Sequence, residues 1–156
     1  MTAKSASLFE ETVQLTHLWL KQLMEELGWT DRHRAYLALR LTLHAVRDHL
    51  TVDQAAKLGA QLPMLVRGFY YEGWHPAHKP LKDRSVEGFM THLDAGFRRS
   101  PLDEPIDPVA VTQAVFTLLG RHLSEGEADH LMQALPKGLR KLWPAGYQVS
   151  PEIVPL

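Results

Sequence analysis

Apolar residues recur three or four positions apart along most of the 156-residue chain, the spacing of one helical face. From Phe9 to Leu27 they fall at Phe9, Val13, Leu20, Leu23, Met24 and Leu27. Ser7-Leu-Phe-Glu10 has the spacing of a capping box, which predicts a helix starting at Ser7, and Gly28 is placed to end it. A second helix, capped by Thr30 or Asp31, carries Tyr36, Leu39, Leu43 and Val46 to about His49. Thr51-Val-Asp-Gln54 is another capping box and opens a third helix with Ala55, Leu58, Gly59 and Leu62. Pro63 suits the first turn of a short fourth helix, which runs through Val66 and Phe69 to about Tyr71.

The second half follows the same style. Residues 73–84, with Pro76 and Pro80, read as an ordered connector rather than a helix or strand. Ser85 starts a fifth helix through Phe89 and Leu93 to near Gly96. Asp107-Pro108, Ser124-Glu-Gly-Glu127 and Pro136 open three more, the last ending near Trp143. Residues 144–156, with three prolines, read as an extended tail. No segment alternates apolar and polar residues as a half-buried strand does. The expected fold is all-α, with about eight helices.

Laying residues 37–70 on residues 110–143 without a gap brings out an internal repeat. Thr51 falls on Ser124 and Gln54 on Glu127, so the capping boxes coincide. Ala55, Leu58, Leu62, Pro63 and Arg67 fall on Ala128, Leu131, Leu135, Pro136 and Arg140, and His49-Leu50 on His122-Leu123. Leu43 and Val46 meet Phe116 and Leu119, which keeps the apolar face. A cap, a stripe and a proline aligned together point to a duplicated helical unit. The expectation is a single domain over 1–156: two tandem pseudo-symmetric four-helix repeats, at 7–72 and 85–143, packed as one compact bundle.

Composition narrows the function. The chain is 45% hydrophobic and 22% charged, ordinary for a globular protein, and its net charge is −1. Interspersed charges of both signs argue against nucleic-acid and membrane-surface roles; the arginines of the second helix, Arg32, Arg34, Arg40 and Arg47, are offset by Asp31 and Asp48. There is no cysteine, which excludes thiol catalysis and cysteine-ligated metals. Neither a signal peptide nor an apolar run of the ~20 residues that span a bilayer is evident. A soluble, cytoplasmic protein is therefore expected.

The run from Leu43 to Pro76, LHAVRDHLTVDQAAKLGAQLPMLVRGFYYEGWHP, closely resembles the bacterial family called domain of unknown function 2267. Gly126-Glu127, Leu135-Pro136, Leu139-Arg140 and Leu142-Trp143 resemble the weaker second half of its pattern, so the likeness spans roughly Phe9 to Pro144. The resemblance implies a small helical bacterial protein and carries no catalytic residues with it.

Features shared by both copies are explained by the fold. Those of one copy are candidates for function. The first copy ends Arg67-Gly-Phe-Tyr-Tyr-Glu-Gly-Trp-His-Pro76, the second Arg140-Lys-Leu-Trp-Pro144. Arg67, Tyr70, Tyr71, Glu72, Trp74 and His75 are thus the candidates for binding a ligand or partner. The structural alternative is that Arg67 pairs with a carbonyl while the aromatics fill the junction between the halves. Glu72, His75 and His78 make a weak metal candidate, since Pro76 prevents helical presentation of the histidines. With no Gly-x-Ser-x-Gly elbow, phosphate loop or HExxH, no catalytic residue and no cofactor is implied. The leading expectation is a non-enzymatic protein-interaction module that self-associates or docks a protein partner. The alternative is a small-molecule binder, possibly an enzyme, using an aromatic and arginine pocket around residues 67–75.

Overall fold

The computed structural model describes residues 3–100 and 104–144, with side chains from Ser7 onward; the tail after 144 lies outside them. Among the described residues there are seven α-helices, two 3₁₀ segments and no strand. The helices are α1 (Ala3–Leu27), α2 (Arg32–Asp48), α3 (Val52–Ala60), α4 (Met64–Tyr71), α5 (Val86–Arg98), α6 (Pro108–His122) and α7 (Glu125–Ala134). The last predicted helix, opened by Pro136, is a 3₁₀ segment over Lys137–Leu142.

Most helix ends are where the cap chemistry puts them. The Asp31 carboxylate accepts from the amides of His33 and Arg34. Thr51 with Gln54 and Ser124 with Glu127 form complete capping boxes, each satisfying two otherwise orphaned amides. Ser85 and Asp107 cap α5 and α6, and Pro108 takes the first turn of α6. Gly28 adopts φ +69°, a left-handed conformation that favours glycine at a helix C-terminus. Two expectations fail. Ser7 lies inside α1, which starts at Ala3, and α5 runs past Gly96 to Arg98. A capping-box spacing does not stop a helix when the preceding residues can themselves propagate it.

One core runs through the molecule. α2 packs against α1, α4, α5 and α6, while α1 packs against α2, α4 and α6. Both halves supply it with matching residues: Leu43 and Phe116, Val46 and Leu119, Ala55 and Ala128, Leu62 and Leu135 are all buried. α3 and α7, opened by the two capping boxes, lie against each other. Arg84 of the connector bonds the carbonyl of His49 at the end of α2 and that of Ala134 at the end of α7. The N-terminal part of α1 overhangs this core. Phe9 and Val13, expected on its apolar face, are 51% and 42% exposed.

Candidate functional site

The sequence candidates divide once their surroundings are known. Arg67 is a structural cap: Nε donates to the Gly59 carbonyl at 2.8 Å and Nη2 to that of Leu62 at 2.8 Å, satisfying the end of α3. Tyr70 is fully buried, and its hydroxyl donates to the Ala55 carbonyl at 2.7 Å. Burial holds the phenol above its ordinary pKa, so it stays protonated. Tyr71 packs its ring between Tyr70 and Trp74, and its hydroxyl lies so close to Gly59 that a Cβ there would sit 2.3 Å away. These bonds and ring contacts tie α4 to α3. The Trp74 indole N–H is buried without a partner.

Glu72 stands apart from them. It is exposed and pairs with Arg40 of α2. His75 and His78 are exposed too, the first just before the 3₁₀ turn Pro76–His78 and the second its last residue. Among the described residues no three His, Asp or Glu side chains are grouped to hold a metal ion, so Glu72, His75 and His78 are not assembled as a ligand set.

Glu72 and Gly73 border a cleft of about 290 Å³ whose walls are α2 and α5. On α2, Arg40, His44, Arg47 and Asp48 fall at i, i+4, i+7 and i+8, which places them on one face. His92 and Gly96 of α5 and Arg99, the residue that caps its end, repeat the i, i+4, i+7 spacing. Leu41, Ala45 and Leu93 complete the lining.

The deepest members form a rigid base. Arg47 is only 4% exposed; Nε donates to Asp48 Oδ1 at 2.9 Å and Nη2 to Oδ2 at 3.3 Å. Its Nη1 donates to the carbonyls of Tyr70 at 2.7 Å and Glu72 at 3.0 Å, fixing the end of α4 against α2. His92 Nε2 lies 3.4 Å from Asp48 Oδ2. Burial would raise the Asp48 pKa, but the hydrogen bonds from His92 and Arg47 and the nearby Arg47 and Lys79 charges outweigh it, lowering the value to about 2. His44 Nε2 lies 2.6 Å from the Phe69 carbonyl, which sets it as the N–H donor and leaves Nδ1 as an acceptor. Burial pushes the His44 pKa down, favouring that neutral form.

Three guanidiniums face two carboxylates in this lining, an excess of one positive charge before either histidine is protonated. Arg99 carries that excess: among the described residues it has no ion-pair partner, and its Nη2 lies 4.0 Å from where a Cβ on Gly96 would stand.

Reading the sequence for a first-copy peculiarity found Glu72 and passed over the rest of the cleft. The same comparison would have found its α2 wall. At the 73-residue offset Arg40, His44, Arg47 and Asp48 become Gln113, Thr117, Gly120 and Arg121. Another hollow, of about 210 Å³, lies between α3 and α7 and is walled by Leu50, Leu58, Leu123 and Leu131. Its Gln54 and Glu127 are engaged in their own capping boxes and Lys57 pairs with Asp53, leaving Gln61 and His130 as its other polar side chains.

The fold and the cleft together define an all-α helical-bundle protein with a charged hollow between two helices. Residues 16–142 match the family of uncharacterized conserved proteins designated DUF2267, and the chain belongs to that family. No curated protein matches the chain. Among the described residues no helix is long and apolar enough to cross a membrane.

Proposed function

We propose that the protein is a non-enzymatic binding module that holds a small polar ligand in the cleft between α2 and α5. The observation that carries this reading is the concentration of ionisable side chains around one hollow, on two helices at matching helical spacings. Burying an ion pair such as Arg47–Asp48 is costly and adds little net stability over apolar packing. Here it braces the end of α4 and leaves Arg40, His44, His92 and Arg99 to meet a ligand. The volume lies at the lower end of small-molecule sites, which are about 300–1,000 Å³. The lining holds no hydroxyl, thiol or amine, and Asp48, at a pKa of about 2, is a weak base. His44 and His92 could move a proton, but no hydroxyl, thiol or amine nucleophile stands in the lining, which favours binding over covalent turnover.

A thermal-shift panel of metabolites tests it, because a ligand that binds only the native state raises the melting temperature. The expected result is a compound whose shift disappears in Arg99→Glu. Compounds that shift wild type and Arg99→Glu equally would contradict the assignment of the cleft.

A second reading, protein–protein contact, is favoured by the face of α1. Leu8, Leu15 and Leu18 are exposed along one side of it, and Leu65 of α4, also exposed, bonds Thr12 of α1 through its amide. Contiguous exposed apolar residues often mark an interaction surface. Light scattering on wild type and Leu15→Lys/Leu18→Lys tests self-association: a dimer abolished by the substitutions supports it, and a monomeric wild type counts against it.

A further inference from the structure

Arg40 is paired along only part of its guanidinium. Its Nη2 meets Glu72 Oε1, while its Nε is buried and has no hydrogen-bond partner. Nε–H and Nη2–H form the lateral edge of a guanidinium, which receives a carboxylate or phosphate in two parallel bonds. Glu72 therefore engages half of that edge. It does so from the solvent side: its side chain is 61% exposed, that of Arg40 28%. An orphaned buried donor is costly, so an incoming group that fills the edge gains what Glu72 leaves unmade.

We propose that the lateral edge of Arg40 is an oxyanion site and that Glu72 is its built-in competitor. The carboxylate or phosphate of a ligand takes both Nε–H and Nη2–H and releases the Glu72 carboxylate to solvent. This rests on the ligand-binding reading of the cleft and adds the ligand's chemical class and the group it must displace. The remaining electrostatics suit an anion. Asp48 is already neutralised by Arg47 and faces His92, and Arg99, which among the described residues has no ion-pair partner, adds positive charge on the opposite wall.

Isothermal titration with inorganic phosphate, and separately with acetate, at ionic strength matched with sodium chloride, tests the competition. Removing a solvent-exposed competing pair is expected to make Glu72→Gln bind about 2- to 5-fold tighter than wild type. Loss of the charged fork in Arg40→Gln is expected to weaken binding by about 10-fold or more. In the Arg40→Gln background Glu72→Gln should have no effect, because the competition acts through Arg40. Equal or weaker binding by Glu72→Gln would overturn the proposal. So would a gain that persists undiminished without Arg40, which marks a general field effect. If an anion binds at the cleft, as shown by loss in Arg99→Glu, yet Glu72→Gln leaves its affinity unchanged, the competitor fails and the binding reading stands. If neither anion binds wild type or Glu72→Gln, the oxyanion site fails, and the metabolite panel then decides the broader reading alone.

Discussion

The ends of α2 and α6 carry the same His-Leu pair at positions 49–50 and 122–123, yet their surroundings diverge. His49 is buried, bonds the Ala45 carbonyl at 2.7 Å and packs its ring against Phe89 and His92 of α5. His122 instead stacks on Trp19 of α1 at 4.4 Å and meets Gln22 at 2.7 Å. Immediately before the histidine, the first half has the buried Arg47–Asp48 pair and the second has Gly120-Arg121, with Arg121 reaching Glu26 across the surface. Where α2 meets α5 the seam holds charge and opens into a cleft. Where α6 meets α1, an aromatic stack fills part of it. Similar helices can share a core and diverge on the face that meets a different neighbour.

The largest effect should fall on the residue that most separates the halves. Arg47→Ala leaves Asp48 buried without its partner and frees the end of α4, so a loss of about 3–5 kcal/mol is expected in chemical denaturation. A loss below about 1 kcal/mol would show that the pair does not brace the fold. Leu62→Ala and Leu135→Ala probe what the halves share. Both leucines are 2% exposed, and each substitution should cost about 2–5 kcal/mol. Unequal costs would show that one site collapses around its cavity more readily than the other.

A smaller contrast separates Arg67 from Arg140, which the sequence aligns. Arg67 bonds the carbonyls that end α3, whereas Arg140 Nε is buried and unpartnered, within the 3₁₀ segment Lys137–Leu142 rather than an α-helix. Arg67→Ala should therefore cost about 1–3 kcal/mol, the loss of charged hydrogen bonds, and Arg140→Ala less. Equal costs would contradict the difference in capping.

The mildest test is pH. Asp48 is held at about 2 against an ordinary 3.8, so its contribution is complete above about pH 4 and is lost as pH falls toward 2. His44, His49 and His122 are lowered from 6.5, chiefly by burial, so the fold favours their neutral forms. The unfolded chain then takes protons first, and stability should already decline as pH drops below 6.5. Denaturation midpoints at pH 7.5, 5.5 and 3 should fall in that order, and a flat profile down to pH 4 would contradict the burial of these histidines.

Much of the fold was legible because its signals are local. The capping boxes of Thr51 and Ser124, the Asp107-Pro108 start and the Gly28 stop each depend on a few adjacent residues. The site was less legible because it is assembled from afar. Glu72, Arg40 and His92 meet only through the packing of α2, α4 and α5, which no sequence spacing reveals. The aromatic run misled for a related reason. Tyr70 and Tyr71 look like pocket residues, yet Gly59 lets Tyr71 approach α3 closely and Ala55 offers Tyr70 a carbonyl. The overhang of α1 was also hidden, since an apolar stripe does not say how far its partner extends.

The most direct measurement is an NMR titration of the isotopically labelled protein with inorganic phosphate, following backbone amides. Binding in the cleft predicts saturable shifts at Arg40, His44, Glu72, Gly73, Gly96 and Arg99, with Gln113, Thr117, Gly120 and Arg121 of the second half unmoved. Shifts spread equally over both halves, or confined to residues outside α2, α5 and the end of α4, would contradict it.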